Sequence, residues 1–192
     1  MRFRVAWLTV LCAGSLFANV EFAAAQAASD EAAQPLRLVI RAEKASYQAN
    51  EVPTTQYNTS SRVAVFAVTG EIQNISQQGQ LFYDVYSSGN PTYHLIGPRG
   101  KPMEIAYLIV DPPLPQERDF VLVKTGKSLP KTLECRFWTG DAVATGIYTL
   151  SITYRVAEKS YLAFDGKKVT LVDLNNAWTG TLRSNEVKIE VR

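Results

Sequence analysis

Residues 146–154 read Gly-Ile-Tyr-Thr-Leu-Ser-Ile-Thr-Tyr and alternate without a break. Tyr148, Leu150, Ile152 and Tyr154 fall on one side, and Ile147, Thr149, Ser151 and Thr153 on the other. A period of two is the signature of a strand with one face in a core, and the glycine that opens the run marks a turn. The pattern predicts a central strand here, around which the other apolar runs can be placed.

Leu36, Leu38 and Ile40 alternate with Arg37, Val39 and Arg41, which predicts a first strand with one inward face. Residues 43–61 carry Asn50, Pro53, Asn58 and several Ser and Thr without sustained period, which reads as a long loop with room for a short edge strand. In residues 62–73, Val63, Val65 and Ala67 are matched by Ala64, Phe66, Val68 and Ile72. Apolar residues on both faces predict a strand covered on both sides. Leu81, Tyr83 and Val85 alternate with Phe82, Asp84 and Tyr86, and a short strand follows at residues 93–96. Gly97-Pro98-Arg99-Gly100 has the chemistry of a tight turn, whereas Asp111-Pro112-Pro113-Leu114-Pro115 enforces an extended, unpaired segment. Residues 120–124 and 131–138 read as strands; in the second, Leu133, Cys135 and Phe137 share a face and place Cys135 in the core. An excursion at residues 157–180 contains Asp165-Gly166 between two apolar runs, 161–164 and 169–172, which predicts a ribbon closed by a two-residue type I′ turn. Val187, Ile189 and Val191 mark the last strand.

Eight to ten short strands, turn signals between them and no helical period predict an all-β fold, an immunoglobulin-like antiparallel β-sandwich with long loop insertions. Tyr148 supplies a second sign. In such sandwiches a tyrosine near the start of strand F folds its ring over the corner and bonds its hydroxyl to backbone a few residues upstream. The antibody cysteine that would follow two residues later is Leu150 here, so apolar packing takes the place of an inter-sheet disulfide.

Three further pieces form a pattern: Glu43-Lys44-Ala45-Ser46-Tyr47 with Glu51 and Pro53, the strand ending in Asn74, and Leu81 through Gly89 leading to Gly97-Pro98-Arg99-Gly100-Lys101. Together they resemble bacterial secreted Ig-like domains, distantly similar to the intracellular proteinase inhibitor family. Trp178-Thr179-Gly180-Thr181-Leu182-Arg183-Ser184-Asn185 is similar to the run-in to the last strand of such domains. The resemblance covers most of residues 36–192 and implies the fold; no inhibitory residue is carried over with it.

The first residues change the setting. Met1-Arg2-Phe3-Arg4 is basic, residues 5–20 are mostly apolar, and Ala25-Gln26-Ala27 has the small-x-small form of a cleavage site, which together read as a secretory signal peptide over residues 1–27. Asn19 and Glu21 interrupt the apolar run before it reaches the roughly 18 residues of a membrane span, so no stable membrane insertion is expected after cleavage. Cys12 lies deep in this run, and Thr9-Val10-Leu11 is a poor lipidation signal. Residues 28–35 read as a flexible segment before a single sandwich domain at 36–192. The exported chain keeps Cys135 alone, so no internal disulfide can form in a periplasmic or extracellular setting. Loss of two basic residues and one acidic residue with the leader lowers the net charge from +2 to about +1. The lysines at 124, 127 and 131 and at 167–168 read as solvated strand ends, and nucleic-acid binding, which needs a dense basic patch, is not expected.

Candidate chemistry is sparse. His94 is the single histidine and falls on the solvent side of its strand, so a nucleophile has one imidazole to call on and a histidine-rich metal site is impossible. Asp165, Asp173, Asn175 and Asn176 lack the spacing of a calcium loop and fit turn chemistry. Asn58-Thr59-Ser60 and Asn74-Ile75-Ser76 match the glycosylation sequon. The informative surplus is aromatic: Phe82, Tyr86, Tyr93, Tyr107, Trp138, Tyr161 and Trp178. The expectation is a non-enzymatic binding module with no cofactor, whose long loops contact a protein or a cell-envelope polymer. Tyr161, Phe164, Asp165 and Trp178 are its candidate binding residues, with the excursion meeting residues 74–79 at one end of the sandwich. Two alternatives are a proteinase inhibitor, presenting residues 111–116 or the Asp165 ribbon, and a small hydrolase using scattered carboxylates.

Overall fold

The computed structural model describes residues 34–57, 61–84, 91–107, 114–164 and 168–192. Residues 1–33 with Cys12, the Asn58 sequon, Val85 and Tyr86, Pro112 and Pro113, and Asp165 lie outside them. The described residues form strands β1 (Leu36–Ala42), β2 (Ser46–Tyr47), β3 (Thr54–Gln56), β4 (Arg62–Asn74), β5 (Gln80–Tyr83), β6 (Pro91–Ile96), β7 (Phe120–Val123), β8 (Ser128–Thr139), β9 (Gly146–Val156), β10 (Ser160–Phe164), β11 (Val169–Asp173), β12 (Gly180–Arg183) and β13 (Val187–Val191). Among the described residues helix is confined to two single 3₁₀ turns, at Ala49–Glu51 and Glu117–Asp119. The protein is all-β, and its sheets are antiparallel except at one short pair.

Strand β4 is the centre of one sheet. β8 runs along one of its edges from Arg62↔Thr139 to Gln73↔Ser128. The other edge is divided between β3, opposite residues 62–64, and β1, opposite residues 68–74. Ala64, Phe66, Val68 and Ile72 are fully buried on one face, while Val63, Val65 and Ala67 on the other are half-buried. The long loop reaches this strand through its edge, by β3 and by the Val65 amide donating to the Pro53 carbonyl at 3.0 Å.

Strand β9 is the centre of the second sheet, as its alternation predicted. β6 lies on one edge, and β12 and β13 share the other. Tyr148, Leu150, Ile152 and Tyr154 are all buried. Strand β2 pairs with β13 in parallel, through Glu190↔Ser46 and Val191↔Tyr47. This pairing arises because the chain leaves the first sheet after β1 and joins the second at β2. Two backbone bonds of Arg192, its amide to the Tyr47 carbonyl at 2.9 Å and its carbonyl from the Ala49 amide at 2.8 Å, extend the contact.

The two sheets meet through aromatic rings. Phe66 of β4 lies 5.2 Å from Tyr148 of β9 and 5.7 Å from Tyr47 of β2, while Phe137 of β8 lies 5.8 Å from Tyr148. The Tyr148 hydroxyl donates to the Ala144 carbonyl at 2.9 Å, four residues upstream. This is the corner geometry expected from sequence. Gly146 opens the strand at φ 128°, where an added Cβ would sit 2.6 Å from Pro98 Cβ, so the corner requires glycine.

Two devices join the sheets at their edges. The Asn185 side chain accepts from the Ile40 amide at 2.8 Å and donates to the Ile40 carbonyl at 3.0 Å, imitating a backbone partner for β1. Elsewhere residues 101–106 cross from one sheet to the other: the Met103 amide donates to the Leu95 carbonyl at 2.8 Å, and the Ala106 amide to the Arg136 carbonyl at 2.8 Å.

Two local expectations need correction. Strand β8 begins at Ser128 and runs through Pro130, which an edge strand tolerates because one side of it has no ladder to serve. Lys131 is therefore no solvated strand end. It shares the inward face with Leu133, Cys135 and Phe137, sits opposite Gly70 and is buried. Its ammonium pairs with Asp84, and burial pulls it down to about 8. The second sequon is likewise occupied by structure: the buried Asn74 side chain donates to the carbonyls of Gln78 and Val123, both at 2.8 Å, and accepts from Ser76.

Two outcomes follow. Tyr148→Phe keeps the fold and loses about 1 kcal/mol, since the Ala144 carbonyl it frees lies on an exposed residue that water can reach; urea unfolding checks this, and a loss near zero would remove the corner bond from the stability of the fold. Cys135 offers a pH test. Burial pushes its thiol up to about 12, so above the ordinary value near 9 the unfolded chain sheds this proton while the fold keeps it, and stability falls with rising pH. Lys131 works in the opposite sense above about 8, so a difference measurement is needed. The stability gap between the wild type and Cys135→Ala shrinks by about 1.4 kcal/mol per pH unit above pH ~9; a gap that stays constant to pH ~10.5 means that the thiol ionises within the fold.

Candidate functional site

Strands β10 and β11 form a two-stranded ribbon in the register Ser160↔Asp173 to Phe164↔Val169. Opposite residues of an antiparallel pair share a face. Tyr161, Ala163, Thr170 and Val172 therefore lie on one face, and Leu162, Phe164, Val169 and Leu171 on the other. The last described pair is Phe164↔Val169, and the turn expected at Asp165-Gly166 lies outside the described residues.

The first face rests on the rest of the protein. The Tyr161 ring lies 6.2 Å from Phe120, which in turn lies 4.9 Å from Tyr83. Burial, reinforced by the charges of Asp119 and Glu158, pushes the Tyr83 hydroxyl up to about 12, so the ribbon stands on a neutral aromatic floor. A backbone bond from the Leu162 amide to the Pro115 carbonyl at 3.3 Å ties β10 to the end of the proline-rich segment.

The second face is open. Phe164 is 70 % exposed, Leu171 65 % and Val169 57 %, and Leu162 on the same face is also exposed. Beside them a cavity of about 460 Å³ runs between β10 and residues 114–117, with the exposed Leu114 on its far side. The two segments singled out from sequence, the proline-rich run and the ribbon, thus line a common recess.

The candidate residues divide accordingly. Phe164 stands in the open face and Tyr161 lines the recess with its ring turned inward. Trp178 is a correction: only 9 % exposed, it stacks on Phe82 at 6.0 Å and 23°, and so belongs to the core. Its amide donates to the Leu81 carbonyl at 2.7 Å. Gly180, at φ 154°, gives it room, since an added Cβ would lie 2.8 Å from the indole. The return leg of the excursion therefore meets β5, just beyond residues 74–79, while the ribbon itself meets residues 114–117. Sequence reasoning passed over Leu162, Val169 and Leu171 because it followed aromatic residues; hairpin register applied to the two apolar runs would have put all four side chains together.

Chemistry elsewhere is modest. His94 is exposed, with Nε2 3.1 Å from Thr153 Oγ1. Cys135 is fully buried and its thiol is held protonated. Among the described residues no three His, Cys, Asp or Glu side chains gather as metal ligands.

No protein-family model and no curated protein sequence matches this chain. A solved structure described as the X-ray structure of Northeast Structural Genomics Consortium target SoR45 is similar over 81% of this chain and 86% of that one, with 10% identity and a TM-score of 0.42.

The contrast between the two aromatic sites is measurable. Phe164→Ser changes stability by less than about 0.5 kcal/mol, as an exposed position should, whereas Trp178→Ala costs about 3 to 5 kcal/mol. Equal losses in urea unfolding would mean that Phe164 also holds the fold together.

Proposed function

We propose that this chain is an exported, non-enzymatic immunoglobulin-like module that binds a protein or a cell-envelope polymer through its ribbon. The topology supports the immunoglobulin-like part of this reading: β1, β4 and β8 take the places of strands A, B and E, and β6, β9 and β13 those of C, F and G, with Tyr148 at the corner before F. The basic, apolar and small-x-small opening of the sequence supports export.

One observation carries the binding part. Leu162, Phe164, Val169 and Leu171 form a continuous apolar face on a ribbon whose other face is fixed to the protein. Scattered exposed apolar residues are ordinary, and a contiguous patch on an anchored element supports reading it as a surface for another molecule. A fixed inner face also lowers the entropy lost on binding, because the ribbon is already ordered.

The recess beside Leu114 favours a second reading, the proteinase inhibitor, in which residues 114–116 and the ribbon together enter a protease cleft.

A pull-down from the source cell's envelope and secreted proteins separates these readings. The purified chain captures a partner that is lost when residues 157–180 are replaced by a short Gly-Ser turn, and that is also lost with Phe164→Lys, which keeps the ribbon. A partner kept by both variants removes the ribbon from the interaction. Capture of a protease whose turnover stops on binding selects the inhibitor.

A further inference from the structure

The ribbon is open at an edge as well as on a face. β10 has β11 on one side and Pro115 on the other, but among the described residues the outer edge of β11 makes no backbone bond to any other strand. Val169–Asp173 has no proline, no bulge against β10 and no inward-pointing charge, and its one charged residue, Asp173, stands at its end, 3.9 Å from Lys159. The edge also adjoins the apolar face, since Val169 and Leu171 belong to both.

We infer that β11 accepts an extended segment of a partner protein as a third strand, with alternate apolar side chains of that segment lying on the face of Leu162, Phe164, Val169 and Leu171. This deepens the binding-module reading and rests on it. Strand addition needs a row of free backbone groups for affinity and an apolar surface at a spacing of two residues for selectivity. Among the described residues β11 offers both, with its apolar spacing at Val169 and Leu171.

Size decides between this occupant and a second copy of the chain. The open face is made by four exposed apolar residues, Leu162, Phe164, Val169 and Leu171. A stable protein–protein interface engages roughly 20–30 residues on each partner. The face is several-fold too small for a dimer built on it, and it matches a single strand.

The probe is a synthetic capped peptide of about seven alternating valines and threonines, flanked by lysines for solubility, together with the same peptide N-methylated at alternate residues. Titration into the isotope-labelled chain, followed by backbone amide signals, shifts those of Val169–Asp173. The N-methylated peptide, whose side chains are unchanged but whose ladder donors are blocked, binds at least tenfold more weakly. So does the unmodified peptide to the exposed-site variant Leu171→Lys. Equal binding of the two peptides overturns strand addition in favour of simple face contact. Absence of binding by either at millimolar concentration overturns it as well, and if a ribbon-dependent partner has been captured from the envelope, the binding-module reading stands without it. Sedimentation that reveals a dimer abolished by Leu171→Lys assigns the edge to a second copy and overturns the choice of occupant.

Discussion

The meeting of Phe66, Phe137, Tyr148 and Tyr47 between the two sheets is the contact on which the rest of the structure depends. No disulfide ties these sheets, since the described residues contain one cysteine and it is free. Removing a buried ring of this kind costs about 3 to 5 kcal/mol, a large share of the 5 to 15 kcal/mol by which domains are ordinarily stable. Every other joining device is placed around this cluster. The corner bond of Tyr148 fixes one ring, the parallel β2–β13 pair fixes another through Tyr47, and the Asn185 clip and the 101–106 crossing hold the edges of the sheets in reach of each other.

Much of this fold was legible in the sequence because its strands are one-face-buried and their alternation is local. β9 could be read from nine residues, and Cys135 could be placed from the parity of Leu133 and Phe137. The parts that could not be read depend on partners far along the chain. Two residues, Ser46 and Tyr47, have no period of their own, so β2 and its parallel pairing leave no local trace. Lys131 follows the same parity as Cys135, yet its charge argues for solvent; only the glycine opposite it and the carboxylate of Asp84 explain why the interior accepts it. Pro130 hid the start of β8 because proline breaks a ladder in the middle of a sheet but not at its rim.

The candidate site shows the same division. That residues 160–173 form a ribbon was legible from two apolar runs around a turn. Which aromatic residue reaches solvent was not, because Trp178 and Phe164 are equally apolar and differ only in what covers them: Phe82 stacks on the first, while the second has only Val169 across the ribbon and stays 70 % exposed. The ribbon's apolar character on both faces is a consequence of its position, with one face serving the fold and the other left over.

The β2–β13 pair also sets the order in which the fold can be completed. β2 and β13 are separated by nearly the whole succession of strands, and β9 waits for the same β13, so the second sheet cannot close while residues 187–191 are still unavailable. Contacts of such long sequence separation form late and slowly. Until then the edge of β9 and the backbone of Tyr47 lack their partners, and a chain emerging from the ribosome keeps this sheet open until β13 has arrived.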